Sequence, residues 1–193
     1  MKSQTITFLV FSTVAALSLG VSTASADDST LQAHASERSG FTLGLGAGLG
    51  HLECTGTFCD GVTGASGLDL QAGLMITPRL AMYGDLWAMV HMQDRLTVSQ
   101  SMATFGLRIW FVERLWLQAG LGVARASYNY DADVVEFMDS TNFVPASAAA
   151  VGVEILTGRR FALNVQLRAG TGYFRDGDTE VDSVSLGLGA NWF

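Results

Sequence analysis

Lysine is almost missing from this chain. The only one among 193 residues is Lys2, and every other basic residue is an arginine. Acidic residues outnumber basic ones 18 to 11, for a formal charge of −7. That balance argues against nucleic acid as a partner, because phosphate backbones are held by basic surfaces. Proline is nearly as scarce, at 2 residues, so little interrupts extended segments. Charged residues are only 15% of the chain. Even so, beyond residue 26 no uninterrupted apolar run reaches the roughly 20 residues that a helix needs to cross a bilayer. What hydrophobicity there is lies dispersed.

The first 26 residues read as a secretory signal peptide: Lys2, an apolar run from Phe8 to Val21, then Ala24-Ser25-Ala26 ahead of Asp27-Asp28. No cysteine follows the cleavage site to accept a lipid, and losing Lys2 takes the charge from −7 to −8. Residues 27–39 are polar and without apolar periodicity, which predicts a flexible periplasmic N-terminal tail.

From residue 40 to residue 193 apolar side chains fall in alternate positions. In the last stretch Val184, Leu186, Leu188 and Ala190 alternate with Ser183, Ser185, Gly187 and Gly189. A two-residue period marks a strand with two unlike faces, and it recurs upstream. Strands are predicted at 41–52, 67–76, 80–93, 101–111, 115–130, 144–156, 161–174 and 181–193. Three connections are short: Thr77-Pro78-Arg79, Val112-Glu113-Arg114 and Thr157-Gly158-Arg159-Arg160. The others, 53–66, 94–100, 131–143 and 175–180, are mostly longer and polar. Short turns at one end and polar loops at the other are the pattern of an outer-membrane barrel. The expected fold is all-β, an eight-stranded antiparallel up-and-down transmembrane β-barrel with its short turns in the periplasm.

Charge placement separates this from a soluble barrel. One row per strand is apolar, as in Leu43, Leu45 and Leu49 or Leu117, Leu121 and Val123. The opposite rows carry Asp69, Gln71, Asp85, Arg108, Gln118, Glu154, Asn164, Gln166 and Arg168. A lipocalin has the reverse arrangement, apolar inside and charged outside. A basic side chain at the midplane of a lipid-facing wall costs roughly 2–4 kcal/mol, so the apolar rows are expected to face lipid and the polar rows the lumen. Aromatics cluster as two girdles, Phe41, Phe111, Phe161, Trp192 and Phe193 near one rim and Tyr128, Tyr130, Phe143, Tyr173 and Phe174 near the other.

Eight strands enclose a space just wide enough for side chains. Tyr83, Trp87, Trp110 and Trp116 are read as bulky lumen fillers, reaching toward a wall formed by Gly44, Gly46, Gly48, Gly187 and Gly189. Arg108 and Arg168 are expected to pair with Asp69, Asp85 and Glu154, since a buried charge without a partner destabilises the fold. That network either stabilises the barrel or gates a narrow water path. Cys54 and Cys59, in the first outer loop of an exported chain, predict a disulfide stapling that loop. A metal reading would need further ligands, with only His51, Glu53 and Asp60 nearby; no metal or other cofactor is expected. The Gly-x-Gly runs alternate within strands and precede no helix, so they are not nucleotide loops. Acidic residues in the outer loops, Asp131, Asp133, Glu136 and Asp139, then Asp176, Asp178 and Glu180, either bind divalent cations or keep the loops solvated. Arg125, on an outward row, either meets a lipid phosphate or lies above the membrane.

The signal peptide, the eight alternating segments, runs such as Leu43-Gly44-Leu45-Gly46-Ala47-Gly48 and Leu186-Gly187-Leu188-Gly189-Ala190-Asn191, and the terminal Phe193 carry a resemblance. Over about residues 40–193 the chain resembles the outer-membrane β-barrel domain family, small eight-stranded barrels similar to OmpA and OmpX. The resemblance implies a monomer in the outer membrane, surrounded by lipid and lipopolysaccharide, assembled with periplasmic chaperones and the barrel-insertion machinery. It makes Trp192 and Phe193 the insertion signal, although the aromatic usual two positions before the final Phe is here Asn191. Some such barrels deacylate lipid A with a His-x-Ser pair on a late strand. Here His51 precedes Leu52-Glu53, His91 precedes Met92-Gln93, His34 lies in the tail and Ser127 is isolated, so no enzyme is expected and each histidine is read as a solvated rim residue. The expected role is structural or surface-interacting through the outer loops, with a narrow pore or small-solute conduit as the alternative.

Overall fold

A computed structural model describes residues 38–55, 61–93, 96–132, 135–140, 142–174 and 179–193. The signal-peptide segment, the tail up to residue 37 with His34, Cys59, and the side chains of Cys54, Asp131, Asp133, Glu136, Asp139, Asp176, Asp178 and Glu180 lie outside the described residues. Among the described residues there are nine strands: β1 (Gly40–Thr55), β2 (Gly61–Thr77), β3 (Leu80–Gln93), β4 (Leu96–Val112), β5 (Leu115–Ala132), β6 (Val135–Ser140), β7 (Val144–Thr157), β8 (Phe161–Phe174) and β9 (Thr179–Trp192).

Eight of them close a ring. Sequential neighbours pair antiparallel, β5 pairs β7, and β1 pairs β9 from Leu43↔Trp192 to Thr55↔Glu180. Closure leaves no open sheet edge in a medium that cannot hydrogen-bond to it. The short β6 is no ninth stave. It takes over the edge of β5 from Ser127↔Ser140 upward, just past the point where β7 lets go at Ala124↔Val144.

At the loop end the ladders run farther than the alternation predicts. β1 continues to Thr55, β2 starts at Gly61, β4 at Leu96 and β9 at Thr179, while the 131–143 loop contains β6. Above the membrane both faces of a strand are wet, so the apolar/polar period fades while backbone pairing persists. The eight staves of 14 to 18 residues exceed the roughly 9–11 that cross a bilayer, so the hairpins stand above it.

The two faces are partitioned for lipid. Leu49, Leu68 and Leu121 on the outer wall are 74%, 68% and 73% exposed, whereas Arg108 and Glu154 inside are 2% and 1% exposed. An apolar exterior around a charged interior rules out the soluble cup.

At the short-turn end one device repeats. β2, β4 and β7 each shift register just before their turn, at Met75/Thr77, Trp110/Val112 and Glu154/Leu156. Such bulges bend a strand and re-aim its side chains. The arginine carbonyl of each turn then accepts a hydrogen bond from the next hairpin, with Trp110 N–H on Arg79, Glu154 N–H on Arg114 and Phe193 N–H on Arg160 at 2.9, 2.8 and 3.1 Å. These links set three inward side chains at the same mouth of the barrel.

Candidate functional site

The lumen is built in layers, and the mouth at the short-turn end is the first. Trp110, Glu154 and Phe193 converge there, and Arg38 joins them from just ahead of β1, where Gly40 takes a left-handed turn at φ 79°. The Arg38 guanidinium donates to Glu154 Oε2 at 2.6 Å and to the Glu113 carbonyl at 2.7 Å. It lies 4.9 Å from the Trp110 ring centroid and 5.5 Å from that of Phe193. Trp110 Nε1–H donates to the other Glu154 oxygen at 2.8 Å. Glu154 was expected to meet Arg108 or Arg168. It sits four residues closer to the turn than Ala150, the cross-strand partner of Arg168, and Arg38 satisfies it instead.

The middle layer is a network of charge and amide. Arg168 bridges two carboxylates, with Nη1 at 3.0 Å from Asp69 Oδ2 and Nη2 on Asp85 Oδ2. Gln166 donates to Asp69 at 2.8 Å and Gln71 donates to it at 3.2 Å. Arg108 does not share in this ion pairing. It donates to Gln71 Oε1 at 2.6 Å, Gln118 Oε1 at 2.8 Å and Asn191 Oδ1 at 3.2 Å. Its guanidinium lies 3.8 Å from the Trp116 ring centroid and 4.8 Å from that of Tyr83. Asp85 is already taken by Arg168, so three amide oxygens and two π faces present the negative ends of their dipoles to Arg108 instead.

The third layer, toward the loops, is mainly apolar, with the buried Gln100 donating to the Val181 carbonyl at 2.9 Å. Leu52, Ala65, Trp87, Met89, Met102, Ala124, Ala126, Ala146 and Val181 pack together there, with Tyr128 and Val144 against them. His91 lies in this region at 8% exposure, its Nδ1 2.5 Å from the Gly64 carbonyl, rather than solvated at the rim; His51 is exposed. Ser127 shares a hydrogen bond with Ser99 at 2.7 Å.

Two readings of the rows need correction. Tyr128 and Phe193 point inward and leave the girdles, which keep Phe41, Phe111, Phe161 and Trp192 at one rim and Phe143 and Tyr173 at the other, while the side chains of Tyr130 and Phe174 lie outside the described residues. The large rings do not rest on the glycines of β1 and β9. Three of those glycines are covered by amides and a carboxylate from cross-strand partners, Gln71 and Asn191 at Gly44, Asp69 at Gly46 and Asn164 at Gly189, while Gly48 and Gly187 meet each other's strand backbone. Trp116 covers its own partner Gly152, and Trp87 with Met102 crosses the lumen to Gly170. A partner on the next strand, about 5 Å away, fills the space before a ring from the far wall can.

Among the described residues, Asp69, Asp85 and Arg168 come together, Arg108 joins Tyr83 and Trp116, and Glu154 joins Trp110. Arg38 was missed from the sequence. The available signal was a basic residue two positions ahead of Gly40, facing a strand end that carries an inward glutamate.

A family model for the outer membrane protein β-barrel domain matches residues 12–192. The chain belongs to the outer-membrane β-barrel domain family. Among solved structures it is similar to Ail, the attachment invasion locus protein of Yersinia pestis, at TM-score 0.61 and 12% identity over 80% of this chain and 100% of that one. Neisserial surface protein A is similar at TM-score 0.60 and 13% identity, over 80% and 97%. No curated protein matches the chain in sequence. In a barrel of this family the short turns face the periplasm and the longer hairpins face outward. Arg38, Trp110, Glu154 and Phe193 thus sit at the periplasmic mouth.

Proposed function

We propose that this barrel is a non-catalytic, structural or surface-interacting component of the outer membrane, with a closed lumen and with its outer hairpins making the contacts. The observation that supports the reading is the packing of lumen side chains in three successive layers. A cavity beside Arg108, lined by residues including Thr42, Gln71, Tyr83 and Asn191, is about 10 Å³, room for about one water molecule. A pore would have to break the Arg38–Glu154 contact at the mouth and the Arg168 bridge above it. The network therefore serves stability in this reading, and gating is the second reading.

The remaining features fit export and assembly: residues 1–26 as a cleaved signal peptide, Trp192 and Phe193 as the insertion signal, and a Cys54–Cys59 staple in the first outer loop. Ail and Neisserial surface protein A, by their names an attachment protein and a surface protein, support a contact role. One Ail structure holds a heparin analogue, sucrose octasulfate. A polyanion is a poor candidate here, because the outer hairpins carry Asp131, Asp133, Glu136, Asp139, Asp176, Asp178 and Glu180.

Single-channel recording in a planar bilayer tests the reading. A silent, correctly folded barrel is expected, with any binding lost on exchange of the outer loops. Steady conductance that changes with substitutions at Trp87 or Arg108 would make the protein a pore.

A further inference from the structure

We propose that the outer wall formed by β2–β5 binds one phosphate-bearing lipid, an acyl chain lying in a groove floored by Ala88, Ser101 and Ala103 and the phosphate held by Arg125.

The groove follows from side-chain size along two lines of cross-strand partners. One line runs Leu68, Ala88, Ser101, Arg125, and the next runs Leu70, Leu86, Ala103, Val123. Small side chains in the middle, between leucines on one bank and Val123 with Phe143 on the other, leave a hollow of about 470 Å³. That lies within the range of about 300–1,000 Å³ for small-ligand sites. The floor is strand backbone paired on both sides, so the hollow is preformed. Its lining is almost wholly apolar, which suits a hydrocarbon chain.

Arg125 ends the outward row Leu115, Leu117, Ala119, Leu121, Val123. Ten residues above Leu115, at about 3.3 Å per residue and a tilt of about 40°, place it roughly 25 Å up the barrel. The apolar band of such barrels is also about 25 Å tall, so Arg125 sits at the outer interface, where lipid phosphates lie. It is exposed, donates from Nη2 to Ser140 Oγ at 2.6 Å and lies 5.8 Å from the Phe143 ring centroid. Among the described residues no carboxylate pairs with it. The other arginines described are in the lumen (Arg38, Arg108, Arg168) or in the periplasmic turns (Arg79, Arg114, Arg159, Arg160). Arg125 is thus the single described cation on the outer half of the lipid-facing wall. On β1 and β9 the rim instead places Glu53 opposite Asp182, which turns anionic headgroups toward β5. A guanidinium keeps four further N–H donors beyond the one on Ser140 and grips phosphate bidentately.

The test is native mass spectrometry of the protein purified in detergent from an outer membrane and titrated with three probes. These are dimyristoyl phosphatidylglycerol, dimyristoylglycerol, which lacks the phosphate, and inorganic phosphate, which lacks the chains. One phosphatidylglycerol per barrel is expected, bound about tenfold or more tighter than dimyristoylglycerol, with inorganic phosphate not retained. Arg125→Gln should erase the difference between the two lipids, and Ala103→Phe should weaken both. Ala88→Leu blocks the groove by a smaller change if Ala103→Phe loses its heat-dependent gel mobility. A statistical ladder of lipids, unchanged in Arg125→Gln and in the groove variant, overturns the site. Retention of inorganic phosphate alone overturns the lipid and leaves an anion contact.

Discussion

The periplasmic half and the outer half of the lumen solve the same filling problem with opposite chemistry. Below, Arg38, Glu154, Arg108, Asp69, Asp85 and Arg168 are buried and joined by hydrogen bonds and ring faces. Above, Trp87, Met89, Met102 and a set of alanines meet without a charge among them. The lower half is specified by which donor meets which acceptor. The upper half is specified by volume. Shape-preserving substitutions should therefore separate the halves, harmful where a charge is lost and mild where only a methylene moves.

Arg168→Met should do the most damage. It keeps an unbranched stem of about two-thirds the length but removes the guanidinium, and leaves Asp69 and Asp85 facing each other inside without their cation. Removing one partner from a buried pair costs about 3–5 kcal/mol. The check is the midpoint of guanidinium unfolding of the folded barrel, followed by its heat-dependent gel mobility. Adding Asp69→Asn and Asp85→Asn should return most of the loss, since a neutral lumen needs no cation. If Arg168→Met unfolds like the wild type, the ion bridge is dispensable and the contrast between the halves fails.

In the outer half Met89→Ala should cost about 3 kcal/mol, through lost burial and the cavity left over Gly67. Met89→Leu should cost less than about 1.5 kcal/mol. The same unfolding assay reads both. An equal loss for the two would mean that the outer layer is as exacting as the network below it.

These contrasts bear on what could be read from the sequence. A two-residue period with charge confined to one row is a strong statement, because a single charge on the wrong row costs kilocalories. The strand count, the short turns and the inside-out partition follow from it. Pairing inside the lumen is another matter. Asp69, Asp85, Arg108, Glu154 and Arg168 share an inward row, but which of them meet depends on stagger between strands and on bulges such as those at Trp110 and Glu154. Neither leaves a mark in the alternation. Arg38 was hidden for a different reason: it precedes the first strand and has no period to belong to. The groove beside Arg125 depends on Ala88 meeting Ser101 and Ala103 across the β3–β4 ladder and on Arg125 meeting Ser101 across the next, and register is not written in any one of those strands.

Arg38→Gln sharpens the comparison at the mouth, where the lumen begins. The amide keeps one donor for Glu154 but loses the charge and the contact with the Trp110 and Phe193 rings. Hydrogen bonds to charged groups contribute about 1.5–3 kcal/mol, so a loss of about 2 kcal/mol is expected by the same unfolding assay. A larger loss, matching Arg168→Met, would make the mouth the anchor of the whole polar half.

The smallest effect belongs to Tyr83→Phe. The hydroxyl donates to Gln118 Oε1 at 3.0 Å, and the same oxygen accepts from Arg108 at 2.8 Å. Removing the hydroxyl therefore leaves no acceptor without a donor, and the phenyl ring keeps its place 4.8 Å from the guanidinium. One neutral hydrogen bond is lost, worth about 1 kcal/mol. If the loss instead approaches that of Arg168→Met, Tyr83 is fixing the position of Gln118, and with it the amide ring around Arg108. The layer would then be cooperative rather than a sum of separate contacts. Comparing Tyr83→Phe, Gln118→Ala and the double variant in the same assay distinguishes the two, because independent contacts add and a shared one does not.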